Sequence, residues 1–324
     1  MIYSTGGVTS NYLTRTVSNS NEAQDQRVNK LSEKVVSVFN RSNSFHELRQ
    51  VAVLKDPREI ESLNNEEKKL LLAEVINKLA VNASPKENPV THIITGQMGA
   101  GKSTVTHNIS AKLEGDCLII DYDELKKYIP RYTEEASKGY PGTVPGCKEA
   151  ARYLVDGLRE YGLNNRLNMV IQESINSRDA EMLKLVEACK ENGFRVSLTV
   201  LAVDKATSNI GILSRYESAL KNINSGEHTP GGARRTPATY HEDAYQSLTN
   251  PAKFEELASN LDEVIVSGRN GHLYYKSFSG FSSEEIVKAI EAGRKDTQSC
   301  RVGLFENLSR VVNFNLNYSN PELR

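Results

Sequence analysis

Two patterns of apolar and polar residues alternate along the central part of the chain. Apolar residues recur every three or four positions, as on one face of a helix, over 102–113, 148–165 and 178–193. Apolar strands separated by helices predict an α/β fold, a mostly parallel sheet flanked by helices. The Gly/Asn-containing segment 268–271 between the last two strands predicts a hairpin that closes one edge of the sheet. The short apolar runs of strand length are 90–95, 117–123, 167–174, 194–203, 263–268 and 272–278.

The part of the chain before this alternation has a different pattern. Residues 1–23 are rich in Ser, Thr and Asn, which predicts a disordered leader. Helical spacing of apolar residues over 23–40, 45–54 and 65–81 predicts a small helical N-terminal module at 24–88. We therefore predict four parts: the leader, the module, an α/β domain at 89–295 and a C-terminal extension at 296–324.

Composition narrows the class of protein. A formal net charge of −1 over 324 residues gives no overall attraction to nucleic acid or to an anionic membrane. No apolar run approaches the roughly 20 residues that a membrane-spanning helix needs, and the N-terminus lacks the apolar core of a signal peptide. The four cysteines are widely spaced without a C-x-x-C pair, which predicts free thiols in a reducing, cytoplasmic compartment.

A nucleotide-binding motif follows the first strand of the alternating region. The spacing Gly96-x-x-x-x-Gly101-Lys102-Ser103 matches the phosphate-loop pattern, in which backbone amides and a helix N-terminus hold phosphate oxygens. Lys102 would reach the β- and γ-phosphates of ATP, and the Ser103 hydroxyl would bind Mg²⁺. The predicted nucleotide-binding residues are Gly96, Gln97, Gly99, Ala100, Gly101, Lys102, Ser103 and Thr104.

Carboxylates follow the next strands, at the sheet edge where ligands of open α/β sheets bind. The second strand is predicted to end in Asp121-Tyr122-Asp123 and the third in Gln172-Glu173-Ser174. A carboxylate at Asp123 could orient an acceptor hydroxyl and take its proton during phosphoryl transfer. Alternatively, Asp123 caps the helix predicted over 124–129, a role that suits Asp.

Three arginines are candidates for stabilising the transferred phosphoryl group. Arg215 belongs to a predicted helix over 209–223, whereas Arg234 and Arg235 belong to a Gly/Pro-flanked loop over 229–242. An arginine delivered to the equatorial oxygens can accelerate transfer by roughly 10³–10⁵-fold. The alternative for each of them is an exposed salt-bridging side chain.

The order of these motifs resembles the zeta toxin family of bacterial toxin–antitoxin systems over about residues 90–278. The resemblance rests on GQMGAGKST, LIIDYDELKKYIPRY, NMVIQES, SRYE, ARRTP and VIVSGRNGHLYYKS, in that order. It implies a phosphate-loop kinase that uses ATP and Mg²⁺ to phosphorylate the 3′-hydroxyl of UDP-N-acetylglucosamine. By the same resemblance, Lys102 binds phosphate, Ser103 binds Mg²⁺, Asp123 is the catalytic base, and Glu173 binds the sugar nucleotide. Arg215 and Arg234 correspond to the two phosphate-stabilising arginines of the family.

One motif departs from the family. Where the family reads E-G-T-x-R, this chain reads Glu173-Ser-Ile-Asn-Ser-Arg178, so that Ile175 stands in place of the substrate-contacting Thr. An Ile side chain cannot make the hydrogen bond of a Thr hydroxyl, and the identity of the acceptor therefore stays open. The alternatives are an effector kinase acting on NAD or another nucleotide, and an ATP-binding module without catalysis. The predicted substrate-binding residues are Glu173, Asp121, Arg178 and Arg235.

The resemblance also implies partners. Zeta toxins are silenced by a helical antitoxin that blocks the nucleotide site. The segment ahead of the first strand is longer than the fold needs, so residues 24–82 could restrain the kinase in cis, bind a chaperone or inhibitor, or simply pack on the core. The Ser/Asn-rich leader is compatible with export into a host cell as well as with a cytoplasmic location.

Overall fold

The structure is a computed structural model that describes residues 60–136, 144–175, 179–225, 236–278, 280–296 and 299. All of these residues belong to one compact unit, Val51–Arg324. The helices predicted over 23–40 and 45–54, and the C-terminal segment 302–324, lie outside the described residues.

Six strands form one sheet in the order β2-β3-β1-β4-β5-β6. The first five are parallel, and β6 pairs with β5 in antiparallel orientation. The predicted mostly parallel sheet and edge hairpin are confirmed. The strands are β1 (Val90–Thr95), β2 (Leu118–Asp121), β3 (Met169–Gln172), β4 (Arg195–Leu201), β5 (Glu263–Ser267) and β6 (Leu273–Ser277).

Helices connect and cover these strands. A 3₁₀ turn at Lys126–Tyr128 follows directly after α3. The helices are α1 (Asn65–Leu79), α2 (Lys102–Lys112), α3 (Tyr122–Leu125), α4 (Tyr132–Ala136), α5 (Cys147–Asn164), α6 (Asp179–Glu191), α7 (Lys205–Asn224), α8 (Ala238–Ser247), α9 (Ala252–Ala258) and α10 (Ser283–Lys295).

The centre of the sheet forms the core. Ile93 and Ile94 of β1 are neighbours in sequence and therefore point to opposite faces, yet both are fully buried. In β4, every residue after Arg195 is buried. Strands buried on both faces need helices on both sides, as the continuous apolar runs predicted.

Helix α1 shares this core. A capping box begins it: the Asn64 side chain accepts the Glu67 backbone N–H, and the Glu67 side chain accepts that of Asn64. Val75 is fully buried, and a Cβ on Gly157 of α5 would lie 2.3 Å from a methyl of Leu72. The last helix predicted for the N-terminal module therefore packs on the α/β core.

Several predicted boundaries differ from those of the structure, and two of the differences affect the cleft. The strand predicted over 117–123 ends at Asp121, because the Asp121 side chain accepts the backbone N–H groups of Asp123 and Glu124 and starts α3. The loop predicted over 229–242 includes the beginning of α8, since Pro237, with φ of −57°, starts a helix at Ala238. Helices α9 and α10 were not predicted, although Ser282 and Glu285 form a capping box for α10.

The described residues contain no helix that is long and apolar enough to cross a membrane. Cys117, Cys147 and Cys189 are buried free thiols, as predicted. Cys300 lies outside the described residues.

Candidate active site

The phosphate loop joins β1 to α2 and depends on glycine. Gly99 and Gly101 have φ of 78° and 101°, in the left-handed region that L side chains rarely adopt. Gly101 is the N-cap of α2 and provides no side-chain cap. The backbone amides of the first turn of α2 are thereby left to an anion, which the helix dipole also favours.

The remaining loop side chains fix the loop to the interior. Ala100 is buried against Leu201 and Val203. Gln97 is fully buried, and its Nε2 donates to the carbonyl oxygen of Val203 at 2.7 Å and to Ser208 Oγ at 3.3 Å. The Gln97 side chain thus points away from the cleft, and any contact of this residue with a nucleotide is left to its backbone.

Helix α7 packs against the same loop. A Cβ on Gly99 would lie 2.0 Å from the carbonyl oxygen of Ser208, so the two backbones touch. Arg215 follows Ser208 by two turns on this helix, is exposed and lines the cleft. Its Nη2 donates to Thr236 Oγ1 at 3.4 Å. The contact at Gly99 therefore sets how far Arg215 lies from the phosphate loop.

Lys102 is the charged group at the centre of the loop. Its Nζ donates to the carbonyl oxygens of Gly96 at 2.7 Å and Gln97 at 3.4 Å. Removal from water lowers the pKa of Lys102 to about 8, against the opposing effect of the carboxylates of Asp121 and Asp123. Lys102 therefore sits in the electrostatic field of both carboxylates that follow β2.

The two aspartates at the end of β2 and the start of α3 have different surroundings. Asp121 caps α3 through its Oδ1, and burial raises its pKa, with the charge of Asp123 adding to that effect. Asp123 lies in the first turn of α3, with 46% of its side chain exposed, and its Oδ1 accepts from Lys126 Nζ at 2.8 Å. The capping role considered for Asp123 belongs instead to Asp121, and Asp123 reaches the cleft.

Glu173 follows β3 and is held by an arginine. Arg159 Nη2 of α5 donates to Glu173 Oε2 at 2.5 Å, and the Ser174 backbone N–H donates to Glu173 Oε1 at 3.2 Å. The Arg159 side chain is 13% exposed and that of Glu173 is 28% exposed. A carboxylate engaged at both oxygens presents a fixed orientation to the cleft.

Ile175, which occupies the position of the family's threonine, does not face the cleft. It is 2% exposed and belongs to the main hydrophobic core, while its backbone N–H donates to Thr95 Oγ1 at 3.2 Å. At this departure from E-G-T-x-R, the Ile175 side chain therefore contributes to the hydrophobic core and not to the lining of the cleft.

One open cleft of about 1890 Å³ brings most of the predicted residues together. Gly96, Gln97 and Thr104 are not among its lining residues, and Thr104 is exposed on α2. Arg178, Arg234 and Arg235 lie outside the described residues. The predicted residues that line the cleft are Gly99, Ala100, Gly101, Lys102, Ser103, Asp121, Asp123, Glu173 and Arg215.

Sequence reasoning missed several charged residues that also line the cleft. Lys148, Arg152, Asp156 and Arg159 of α5 line it. Their spacing of three or four residues is that of one helix face, so the charges on this amphipathic helix could have indicated a polar wall. Arg269 of the β5–β6 turn also lines the cleft, with its Cγ 3.6 Å from a Cβ built on Gly101.

The donor set of the loop is compatible with Mg²⁺. No group of three or more His, Cys, Asp or Glu residues suited to a metal occurs among the residues that the structure describes. Mg²⁺ beside a nucleotide takes most of its ligands from phosphate and water, so a dedicated protein cage is not required. Ser103, exposed on the first turn of α2 and lining the cleft, can offer its hydroxyl oxygen as one ligand.

The parallel sheet, the phosphate loop and the carboxylates after β2 and β3 define a phosphate-loop kinase-like fold. The family model described as "Zeta toxin" matches residues 73–278, and the chain belongs to this family of kinase-like toxins. It is 31% identical over 231 residues to toxin PezT of Streptococcus pneumoniae, covering 71% of this chain and 88% of the relative. It is 24% identical over 258 residues to toxin zeta of Streptococcus agalactiae, covering 77% and 85%.

A solved structure has the same fold. It comes from a study of the PezAT chromosomal toxin–antitoxin system of Streptococcus pneumoniae. The TM-score is 0.65 at 23% identity, and the match covers 79% of this chain and 99% of that chain. The predicted fold and family resemblance are thereby confirmed.

Proposed function

We propose that this protein is an ATP- and Mg²⁺-dependent kinase that phosphorylates a sugar hydroxyl of a nucleotide-type metabolite, with the 3′-hydroxyl of UDP-N-acetylglucosamine as the first acceptor to test. The observation that carries the proposal is that Lys102, Ser103 and Asp123 line one cleft. A phosphate-binding loop alone would serve any nucleotide-binding protein, whereas a carboxylate that lines the same cleft gives an acceptor hydroxyl a base.

The proposed reaction is an in-line transfer. The acceptor oxygen forms a bond to the γ-phosphorus as the bond from phosphorus to the β–γ bridging oxygen breaks, and that oxygen leaves on ADP. Asp123 takes the proton of the acceptor hydroxyl. Lys102 and Arg215 stabilise the negative charge of the phosphoryl oxygens. Ser103 would hold Mg²⁺, which would supply further positive charge to the phosphates.

The other predicted residues keep their proposed roles. Arg234 is proposed as the second phosphate-stabilising arginine, and Arg235, Arg178 and Asp121 as substrate-binding residues. Glu173 is proposed to bind the acceptor in the orientation that its contact with Arg159 imposes. Asp121 also shapes the site because it caps the helix that carries Asp123.

A second acceptor class is supported by Ile175. Its hydrocarbon side chain has no hydroxyl, and it is buried in the core, so it makes no hydrogen bond to a sugar nucleotide. NAD, whose ribose hydroxyls need the same base and donor geometry, is the second acceptor that we propose to test.

The decisive experiment incubates the full chain with Mg²⁺-ATP and a panel of UDP-N-acetylglucosamine, other nucleotide sugars and NAD. Mass spectrometry should detect an acceptor that gains one phosphate, and the Asp123→Asn protein should produce far less of it. Nucleotide binding without product from any acceptor would contradict the proposal and favour a non-catalytic ATP-binding module.

We also propose an antitoxin as the partner, because the chain belongs to the zeta toxin family. Restraint in cis by the N-terminal module, or binding of a chaperone there, is the alternative. Val75 is part of the core, so a truncation that tests the alternative should remove residues 1–50 and leave α1 intact. Higher turnover and toxicity of the truncated chain would support restraint in cis, whereas unchanged values would exclude it.

A further inference from the structure

Lys126 is a buried lysine beside the proposed catalytic base. It is 3% exposed, its Nζ lies 2.8 Å from Asp123 Oδ1, and the same Nζ lies 4.4 Å from the centre of the Tyr122 ring. Burying an ammonium costs free energy unless it is paired, and both the carboxylate and the aromatic face compensate the charge. We therefore expect this ion pair to do more than an exposed ion pair does.

The local fold fixes this pair at both ends. Lys126 follows Asp123 by three residues at the junction of α3 and the 3₁₀ turn, and buried Leu125 and Ile129 anchor the segment on either side of it. The Asp123 backbone N–H donates to Asp121 Oδ1 at 2.9 Å. The cap thus holds the main chain of Asp123, while Lys126 holds its carboxylate.

We propose that Lys126 is a positioning residue for Asp123, which orients the carboxylate toward the acceptor and keeps it ionised and ready to take a proton. This inference rests on the proposed function. The contact through Oδ1 restricts the orientation of a carboxylate that is 46% exposed and lines the cleft. A nearby ammonium favours the charged form of a carboxylate, which is the form that a general base requires.

Other charged groups also surround Asp123. Asp121 and Glu124 lie near it in sequence, and the negative charge of Asp123 helps to raise the pKa of Asp121. Lys102 of α2 attracts it, and Arg215 of α7 and Glu173 after β3 act on the same Lys102. Replacing Lys126 should therefore raise the titration midpoint of Asp123, while the other charges around it stay in place.

The neighbouring residue Lys127 provides a matched control. Lys127 Nζ pairs with Glu124 at 3.3 Å with the same spacing of three residues, but these two side chains are 36% and 65% exposed. If Lys126 only stabilised the helix as a surface pair does, replacement of either lysine would have the same small effect.

The test compares the full-length wild type with Lys126→Met, Lys126→Gln and Lys127→Met. In phosphoryl transfer to the best acceptor, Lys126→Met should lower kcat by roughly 10–100-fold, because a displaced catalytic group costs about that much. The KM for ATP should not change. The acidic limb of the pH–kcat profile should move up by about one pH unit, since loss of an adjacent opposite charge shifts a carboxylate by that order. Lys127→Met should behave as the wild type.

A readout independent of turnover separates this inference from the proposed function. Aspartate carboxyl carbons labelled with ¹³C can be titrated by NMR, with the Asp123 signal assigned by its loss in Asp123→Asn. Its midpoint should rise in both Lys126 variants and stay unchanged in Lys127→Met. If no acceptor is phosphorylated, the proposed function fails and the titration still decides the role of Lys126. A midpoint unchanged in Lys126→Met and Lys126→Gln would overturn the inference.

Discussion

Gly99 of the phosphate loop and Gly211 of helix α7 are in backbone contact. A Cβ built on Gly211 would lie 2.7 Å from the carbonyl oxygen of Gly99, closer than a real Cβ approaches such an atom. One helical turn further along α7, Arg215 lines the cleft. The distance between the phosphate loop and this arginine is therefore set by two residues that lack side chains.

We expect Gly211→Ala to lower kcat by about 10-fold or more, because α7 must move away from the loop and take Arg215 with it. The overpacked contact should also cost about 1–3 kcal/mol of unfolding free energy. Steady-state kinetics and thermal unfolding measure the two effects.

Gly293→Ala is the matched control for this prediction. It also replaces a helical glycine, and its Cβ would lie 2.5 Å from Ala202 Cβ and 2.8 Å from the Tyr274 ring. We expect a similar loss of stability with little change in kcat. Equal effects of the two substitutions on kcat would mean that the spacing of α7 and the loop has no special role.

The second prediction concerns Asp123→Asn. The amide keeps the size of the carboxylate but cannot take a proton, so kcat should fall by roughly 10²–10⁴-fold. Binding of ATP should be retained, because the phosphate loop is untouched, and titration calorimetry can measure it. A variant with turnover near that of the wild type would mean that Asp123 is not the base.

Motifs made of adjacent residues could be predicted from the sequence. The phosphate loop and its flanking strand and helix follow from local spacing, because each depends on neighbouring residues. The parallel sheet follows from the alternation of apolar strands with helices. The presence of Lys102 and Asp123 in one cleft also followed, since the ends of parallel strands meet at one edge of the sheet.

Contacts between distant residues could not be predicted in this way. The hydrogen bond from Arg159 to Glu173 joins one face of α5 to the residue that follows β3. Nothing in the sequence around either residue indicates that the other is its partner. The burial of Ile175 depends on how the segment after β3 turns toward the core. Either Asp121 or Asp123 could cap a helix. Which of them does so depends on where β2 ends and α3 begins.

A third prediction follows from the contact between Arg159 and Glu173. Arg159→Met should raise the KM for the acceptor by roughly 10-fold and leave the KM for ATP unchanged, because it releases a carboxylate that the proposed site uses. Glu173→Gln should have a similar effect, and the double variant should cost less than the sum of the two, as expected for residues in contact.

Lys190→Met is the control for the loss of an ion pair as such. Lys190 pairs with Asp262 at 2.6 Å and does not line the cleft. Its replacement should leave both KM values unchanged. Strictly additive effects of Arg159→Met and Glu173→Gln would argue that the pair does not act as a unit.

A fourth prediction is that Lys102→Met stabilises the free protein while it abolishes ATP binding. The pKa of Lys102 is lower in the folded protein, at about 8, than the ordinary 10.5. The unfolded chain therefore binds this proton more tightly, and stability is lost as the pH falls from 10.5 toward 8. The shift corresponds to at most about 3 kcal/mol. We expect a gain of about 1 kcal/mol in Lys102→Met, because the substitution also removes the hydrogen bonds from Nζ to Gly96 and Gln97.

Thermal unfolding at pH 7 should thus show a higher Tm for Lys102→Met than for the wild type. Lys112→Met, an exposed lysine in the last turn of the same helix, should leave Tm unchanged or slightly lower, since a cation there complements the helix dipole. A Tm of Lys102→Met below that of Lys112→Met would show that the ammonium stabilises the loop through Gly96 and Gln97.

The last prediction concerns the buried polar chain that ties the phosphate loop to α8. Gln97 Nε2 donates to Ser208 Oγ, which lies 2.8 Å from His241 Nε2. Burial lowers the pKa of His241 below its ordinary 6.5, so the folded protein holds the neutral imidazole. The unfolded chain takes up the proton first, and stability is therefore complete above about pH 6.5 and is lost as the pH falls below it.

Chemical denaturation between pH 7 and 5 should accordingly show a steeper loss of unfolding free energy for the wild type than for His241→Gln. The slope should not vanish in this variant, because burial also lowers the pKa of His92. His272→Gln, at an exposed position in the β5–β6 turn, should keep the slope of the wild type. If His241→Gln kept it as well, protonation of His241 would not be what destabilises the acid form, and the chain from Gln97 to His241 would stay intact at low pH.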